Sequence, residues 1–295
     1  MTTSATCAGT PQRDGRVRLN DWLVGCAAQL SGQSLSAKLD AELLACHALQ
    51  ISRAQLIARS TAILESPMRD SLDALCARRA AGEPVAYISG EREFWSLRLR
   101  VTPDVLIPRP ETELLVELAL ARMPSDAALV VADIGTGSGA MALAIAKERP
   151  RARVIATDIS EKALAVAREN AASNELTNVE FRHGTACEPI RPECLPLIIS
   201  NPPYVADSDP HLARGDLRFE PRSALAAGAD GLDVLREIVA CAPKVLIAGG
   251  TLMVEHGYQQ GESVHALFAR HGFREIALHR DLAGLPRVTL GVSHE

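Results

Sequence analysis

Between residues 129 and 292, short apolar runs alternate with helical patterns, and this regularity restricts the fold more than any other feature of the chain. The strand candidates are 129–134, 153–157, 179–182, 197–200, 250–255, 275–279 and 287–292. Helical spacing fills 139–149, 160–173, 230–246 and 260–271 between them. Alternation of this kind implies a mostly parallel sheet with helices on both faces. The expectation is an α/β, Rossmann-like domain with a seven-stranded sheet. Its ligand belongs beyond the carboxyl ends of the strands, where strand order reverses.

The first third of the chain reads differently. Residues 1–15 are polar and contain Gly and Pro, as in a frayed tail. From residue 16 to 83 the pattern is that of a small helical bundle. Leu19, Trp22, Leu23, Cys26, Ala27 and Leu30 fall at three- and four-residue steps, as do Leu39, Leu43, Leu44 and His47. Ser66-Pro67 reads as an N-cap followed by a first-turn proline, with Gly82 ending that helix. Residues 84–106, with Phe94, Trp95, Leu97, Leu99 and Val101 in near alternation, read as a β-hairpin linker. Residues 107–295 form the larger domain, which opens with a helix running to about Met123.

Net charge is −5, and acidic residues predominate after Gly90. That balance argues against a partner gripped through phosphates. The seven cysteines are scattered with no Cys-x-x-Cys pair, so reduced thiols are expected, with neither a disulfide framework nor a zinc site. Leu23-Val24-Gly25-Cys26 matches a lipid-attachment pattern by chance, because Asn20 and Asp21 interrupt the apolar stretch it needs. No apolar run approaches the roughly 20 residues of a membrane helix, and the expectation is a cytoplasmic protein.

Two motifs carry the chemistry. Asp133-Ile134-Gly135-Thr136-Gly137-Ser138-Gly139 joins a strand to a helix, with glycines where the turn is tight and backbone must approach a ligand. Its Gly-x-Gly-x-Gly spacing departs from the Gly-x-Gly-x-x-Gly of dinucleotide folds, which favours a ligand without a pyrophosphate. Asp158 ends the next strand, about twenty residues on, where a carboxylate can accept ribose hydroxyls. Together they point to S-adenosyl-L-methionine, with S-adenosyl-L-homocysteine as product, bound by Gly135, Thr136, Gly137, Ser138, Gly139 and Asp158, and touched also by Asn201 of the second motif.

The second motif, Asn201-Pro202-Pro203-Tyr204, ends the strand at 197–200. Two prolines stiffen the corner and remove two donors, leaving carbonyls free to accept. An amide nitrogen is a poor nucleophile because its lone pair is delocalised. Acceptors at the Asn201 side chain and the Pro202 carbonyl would draw on its two N–H bonds and aim the lone pair at the methyl carbon. Tyr204 offers a flat surface for stacking. Catalysis by positioning, with no metal, is the expected mechanism. Asn201, Pro202 and Tyr204 are the candidate catalytic residues, and Asn201 to Tyr204, Pro203 included, the candidate substrate site.

Asn-Pro-Pro-Tyr is shared by adenine-N6 and glutamine-N5 methyltransferases and does not choose between them. The surrounding sequence resembles the HemK/PrmC family over residues 16–292. The resemblance lies in Gly82-Glu83-Pro84-Val85-Ala86-Tyr87-Ile88-Ser89-Gly90, Phe94, Ile107-Pro108-Arg109-Pro110-Glu111-Thr112-Glu113, Phe219-Glu220-Pro221, the segment from Glu255 to Gly261, and Arg287-Val288-Thr289-Leu290-Gly291. It implies a class I methyltransferase fold and methylation of the glutamine side-chain amide (N5) in the Gly-Gly-Gln motif of bacterial peptide chain release factors. The partner is then a release factor, docked by the helical domain, with no nucleic acid and no membrane, and the chain a monomer. Alternatives are a ribosomal-protein glutamine, adenine N6 in a nucleic acid, or a cofactor-binding module without catalysis. After the third strand the family often has an acidic residue followed by a bulky one. Here Thr185 and Ala186 stand instead, and contact with the adenine falls to Ala186 or to backbone.

Other residues have structural readings. Arg109 and Glu111 read as an ion pair at the domain junction or a substrate contact. His183, His211 and His256 read as polar partners, Trp22 and Trp95 as packing, and Asp133 as a support for the glycine loop.

Overall fold

A computed structural model describes residues 17–294. The tail expected over residues 1–15 lies outside the described residues. The chain divides into two compact units, the first ending at Ser89 and the second beginning at Gly90.

The first unit contains β1 (Val17–Arg18), α1 (Leu19–Leu30), α2 (Ala37–Leu49), α3 (Arg53–Ala58), β2 (Ile63–Leu64), α4 (Ser66–Ala80) and α5 (Val85–Ser89). Leu19, Trp22, Cys26 and Leu30 line the inward face of α1, as their spacing predicts. Cys26 is thus a core residue of a helix. The stripe on α2 is turned from the predicted one: Asp40, Ala41, Leu44 and Ala45 are buried, whereas Leu39 is exposed. Asp40 is drawn inward by Arg79 of α4, whose Nε donates to Asp40 Oδ2 at 2.7 Å. α3 begins with a capping box, in which Ser52 accepts from the Gln55 N–H and Gln55 accepts from the Ser52 N–H. The N-cap of α4 is Glu65 rather than Ser66, so Pro67 occupies the second helical position.

The second unit begins with the hairpin β3 (Glu91–Phe94) and β4 (Leu97–Arg100). The segment read as a linking hairpin therefore divides: its first residues form α5, and the hairpin packs Phe94, Leu97 and Leu99 into the core of the second unit. There follow α6 (Glu113–Leu120), β5 (Val130–Ile134), α7 (Ala140–Glu148), β6 (Arg153–Asp158), α8 (Glu161–Ser173), β7 (Val179–His183), β8 (Leu195–Ser200), α9 (Asp233–Cys241), β9 (Leu246–Glu255), α10 (Gly261–Arg270), β10 (Arg274–Arg280) and β11 (Pro286–Val292). α6 is shorter than predicted because Pro108 and Pro110 hold the preceding residues out of the helix. Likewise α9 stops before Pro243.

β5 to β11 form one seven-stranded sheet in the order β10-β11-β9-β8-β5-β6-β7, parallel except at β11, which runs antiparallel to both neighbours. The Rossmann-like arrangement follows the predicted strands closely. Two apolar clusters fill the layers between sheet and helices. Phe268 of α10, fully buried, packs 4.9 Å from the Phe273 ring, and side chains of this size each contribute about 1.5–3 kcal/mol on burial. Cys187 and Cys241 are joined by a disulfide, where scattered thiols were expected. The fold brings their Cα atoms to 5.9 Å across 54 residues, a proximity no local spacing encodes. No described helix is long and apolar enough to cross a membrane.

Candidate active site

The chain runs β5 to β6 to β7 in one direction across the sheet, then returns to place β8 on the other side of β5. The switch in strand order thus falls between β5 and β8, and the Ser200 hydroxyl joins the two strand ends by donating to the Ile134 carbonyl at 2.7 Å. A cavity of about 480 Å³ opens there, within the usual range for small-molecule sites.

The glycine loop forms one wall. The N–H groups of Gly135 and Thr136 both donate to the Thr157 carbonyl, at 2.9 and 2.8 Å, which folds the loop back over β6. Gly135 and Gly137 have φ of +73° and +56°, and open space lies where a Cβ would stand. The loop rests on Asp133, whose Oδ2 accepts from the Thr136 hydroxyl at 2.7 Å. Burial pushes the Asp133 carboxyl up to about 7 against that bond. Asp158, at the tip of β6, accepts from the Gly137 N–H (2.9 Å) and the Ser160 N–H (2.8 Å). Burial raises its pKa, and these two donors oppose the rise.

The opposite wall is the diproline corner after β8. Asn201 Nδ2 donates to Thr112 Oγ1 at 3.0 Å, and the Tyr204 hydroxyl donates to Glu255 Oε1 at 3.2 Å. Gln260 Nε2 donates to the Tyr204 carbonyl at 2.9 Å. Gly231 passes so close that a Cβ there would lie 2.3 Å from the same carbonyl oxygen. Glu255 is 1% exposed, and burial pushes its carboxyl up to about 6 against the Thr112 and Tyr204 donors and the charge of Arg287. Nearby, the buried Glu220 accepts from the Ile107 N–H at 3.0 Å and pairs with Arg109, fixing the segment that lines the cavity at Pro108 and Arg109.

Among domain families, the one described as Methyltransferase small domain matches residues 111–216, and the one described as PrmC N-terminal domain matches residues 21–90. The chain is 50% identical to a release factor glutamine methyltransferase of Coxiella burnetii, over 88% of this chain and 93% of that protein. It is 48% identical to the protein of that name in Vibrio cholerae, over 89% and 92%. The chain belongs to the HemK/PrmC family. A methyltransferase structure from Pyrococcus furiosus shares the fold at a TM-score of 0.52 and 16% identity, covering 74% of this chain and 98% of that one.

Within this HemK/PrmC chain, the structure brings together most of the residues singled out by sequence. Gly135, Thr136, Gly137, Ser138, Asp158, Ala186, Asn201, Pro202 and Pro203 all line the cavity. Two do not. Gly139 sits behind the loop with φ +86°, and a Cβ there would press on Ala167 and Leu143 at 3.2 Å, so its role is close helix packing. Tyr204 is not among the lining residues: it is half-buried, packs against the second apolar cluster, and its hydroxyl is held by Glu255. Arg109 pairs with Glu220, not with Glu111.

His183, His211 and His256 all have polar partners, with His256 buried between Thr289 and the Gly257 carbonyl. Trp22 is buried in the first unit, and Trp95 packs on the second unit's core. Sequence reasoning missed Thr112, Glu255 and Gln260 as supports of the corner. It also missed Asn170, whose side chain joins the Ser138 carbonyl to both backbone groups of Arg100. These four lie in resembling motifs or on a helix face, and no spacing marked them. Among the described residues no cluster of His, Cys, Asp and Glu could hold a metal ion.

Proposed function

We propose that this protein transfers a methyl group from S-adenosyl-L-methionine to the side-chain amide nitrogen of the glutamine in the Gly-Gly-Gln motif of a peptide chain release factor. The fit to the donor rests on the cavity itself. Backbone free of side chains at Gly135 and Gly137, a buried carboxylate at Asp158 and apolar walls suit an amino-acid end, a ribose and an adenine respectively. Carboxylates outnumber cations in the lining, with Asp104, Asp158 and Glu237 against Arg109, which suits a sulfonium cation. The residues that hold the donor are Gly135 to Ser138, Asp158 and Ala186. Bound there, S-adenosyl-L-methionine supplies an electrophilic methyl group.

The protein's own part is to hold the amide. The observation that carries the reading is the Asn201 side chain, whose nitrogen is engaged by Thr112 so that its oxygen is left for a ligand, in a cavity that Pro202 also lines; the Pro202 carbonyl is taken as the second acceptor. These two oxygens accept the two N–H bonds of the glutamine carboxamide. That localises the nitrogen lone pair toward the donor side of the cavity. As the N–C bond forms and the methyl–sulfur bond breaks to leave S-adenosyl-L-homocysteine, the nitrogen sheds one of these protons to water. Tyr204 acts from behind, stiffening the corner. The helical unit docks the release factor, and the protein works in the cytoplasm as a monomer without nucleic-acid contact, consistent with its net charge of −5.

The test is mass spectrometry of a purified release factor incubated with this protein and donor. One added methyl on the Gly-Gly-Gln glutamine is expected, and none with Asn201→Ala, although that variant still binds donor. Unchanged turnover by Asn201→Ala would overturn the assignment.

A further inference from the structure

Asn201 serves a carboxamide substrate in only one of its two orientations. Its oxygen accepts an N–H bond, but a half-turn of the side chain would present an NH2 group to the NH2 of the substrate. The sheet does not choose between them, since both fit the same volume. The choice is made by what Asn201 touches, and that is Thr112.

A threonine hydroxyl has one proton to give. If Thr112 gave it to Asn201, the asparagine would turn its oxygen inward and its NH2 toward the cavity. Glu255 stands behind Thr112, at the carboxyl end of β9, and an ionised carboxylate only accepts. Its Oε1 takes the Tyr204 hydroxyl at 3.2 Å. Its Oε2 is buried with no partner of normal hydrogen-bond geometry, and the Thr112 hydroxyl is the neighbouring donor that favours the charged form. With its proton turned toward that orphaned oxygen, Thr112 is left to accept from Asn201, in keeping with its 3.0 Å contact with Nδ2.

We propose that Glu255 is a positioning residue for methyl transfer: through Thr112 it fixes the Asn201 carboxamide with its oxygen toward the cavity, and directly it pins the Tyr204 hydroxyl. The relay spans three separate parts of the second unit, and its effect is on an orientation rather than on a contact with substrate. The inference rests on the reading of Asn201 as the group that holds the substrate amide.

Thr112→Val keeps the shape of the side chain and removes the hydroxyl. Single-turnover rates at saturating donor should fall about 10- to 100-fold, the scale of one misdirected polar group, while donor affinity by calorimetry stays within about twofold. Thr112→Ser should recover the rate to within about threefold, which a loss of packing would not permit. Glu255→Gln, able to give protons as well as accept them, should also slow transfer. The double variant Thr112→Val with Glu255→Gln should be no slower than the slower single, because both break one relay.

A Thr112→Val rate within about threefold of wild type, or losses that multiply in the double variant, would overturn the proposal. If Glu255→Gln does not fold, the Thr112→Val and Thr112→Ser pair decides alone. Asn201→Ala is run in parallel. Its retention of activity sinks the reading of the substrate site, whereas its inactivity together with an unimpaired Thr112→Val sinks only the relay.

Discussion

The glycine loop after β5 and the diproline corner after β8 face each other across one cavity, yet they are held in place by different means. The loop is shaped by its own backbone: positive φ at Gly135 and Gly137, two N–H groups on the Thr157 carbonyl, and Asp133 and Asp158 beside it in neighbouring strands. The corner depends on side chains brought from afar, with Thr112 from before α6, Glu255 from the end of β9 and Gln260 from the start of α10. A ligand bound by a preformed backbone surface needs only a local sequence to specify it. A group that must present one particular oxygen needs a network to orient it, and networks are assembled by the fold.

The comparison breaks first at its largest effects. Asp158→Ala should weaken donor binding about 10- to 100-fold by leaving the ligand's hydroxyls unpaired, while transfer from fully loaded enzyme changes little. Asn201→Ala should do the reverse, with donor affinity kept and transfer lost. Calorimetry and single-turnover rates on the two variants read the split directly. If both variants lose affinity alike, the two walls act as one unit and the distinction fails.

Gln260→Leu tests the corner more gently. It removes the donor to the Tyr204 carbonyl and strands the Gly257 N–H that Gln260 Oε1 accepts, at a cost of about 1–3 kcal/mol in stability. Chemical denaturation should show that loss, accompanied by slower transfer and unaltered donor affinity. A matching drop in donor affinity would show that the support is shared by both walls.

The same contrast explains what could be read before the structure was known. The strands and helices of the sheet, the glycine loop and Asp158 were legible because each follows from periodicity or from contiguous residues. Asn201 and Pro202 were legible as members of the cavity wall, since they follow directly on an apolar strand whose carboxyl end faces the switch in strand order. The hold of Glu255 on the Tyr204 hydroxyl was not legible, because the two residues are 51 positions apart and only the fold joins them. Arg109 was matched to Glu111 by nearness in sequence, while Glu220 stood closer in space. The α2 stripe was misjudged for the same reason, a buried Asp40 answering Arg79 on another helix. In each case the deciding partner is distant in the chain, and no local pattern carries its position.

The smallest expected effect concerns the charge at the base of the corner. Glu255 titrates near 6 when folded, against about 4.5 for an ordinary glutamate, so the native state binds the proton more tightly than the unfolded chain. Its contribution to stability is fully present below about 4.5 and is lost as pH rises through about 6, a change of about 2 kcal/mol. Charged and polar neighbours facing the carboxylate are Thr112, Tyr204, Arg287 and Glu111, with His256 beside it on the chain. Asp133, near 7, titrates in wild type and in Glu255→Gln alike and cancels from their difference. The unfolding free energy of wild type should therefore rise by about 2 kcal/mol relative to that of Glu255→Gln as pH falls from 7 to 4.5, whichever is the more stable at pH 7. Transfer moves the opposite way, because a protonated Glu255 no longer commits the Thr112 proton, so the wild-type rate should fall below pH 6 through this group. A rate profile whose acid limb is the same in Glu255→Gln would show that the corner is indifferent to that charge, and would leave backbone geometry as the organiser of both walls.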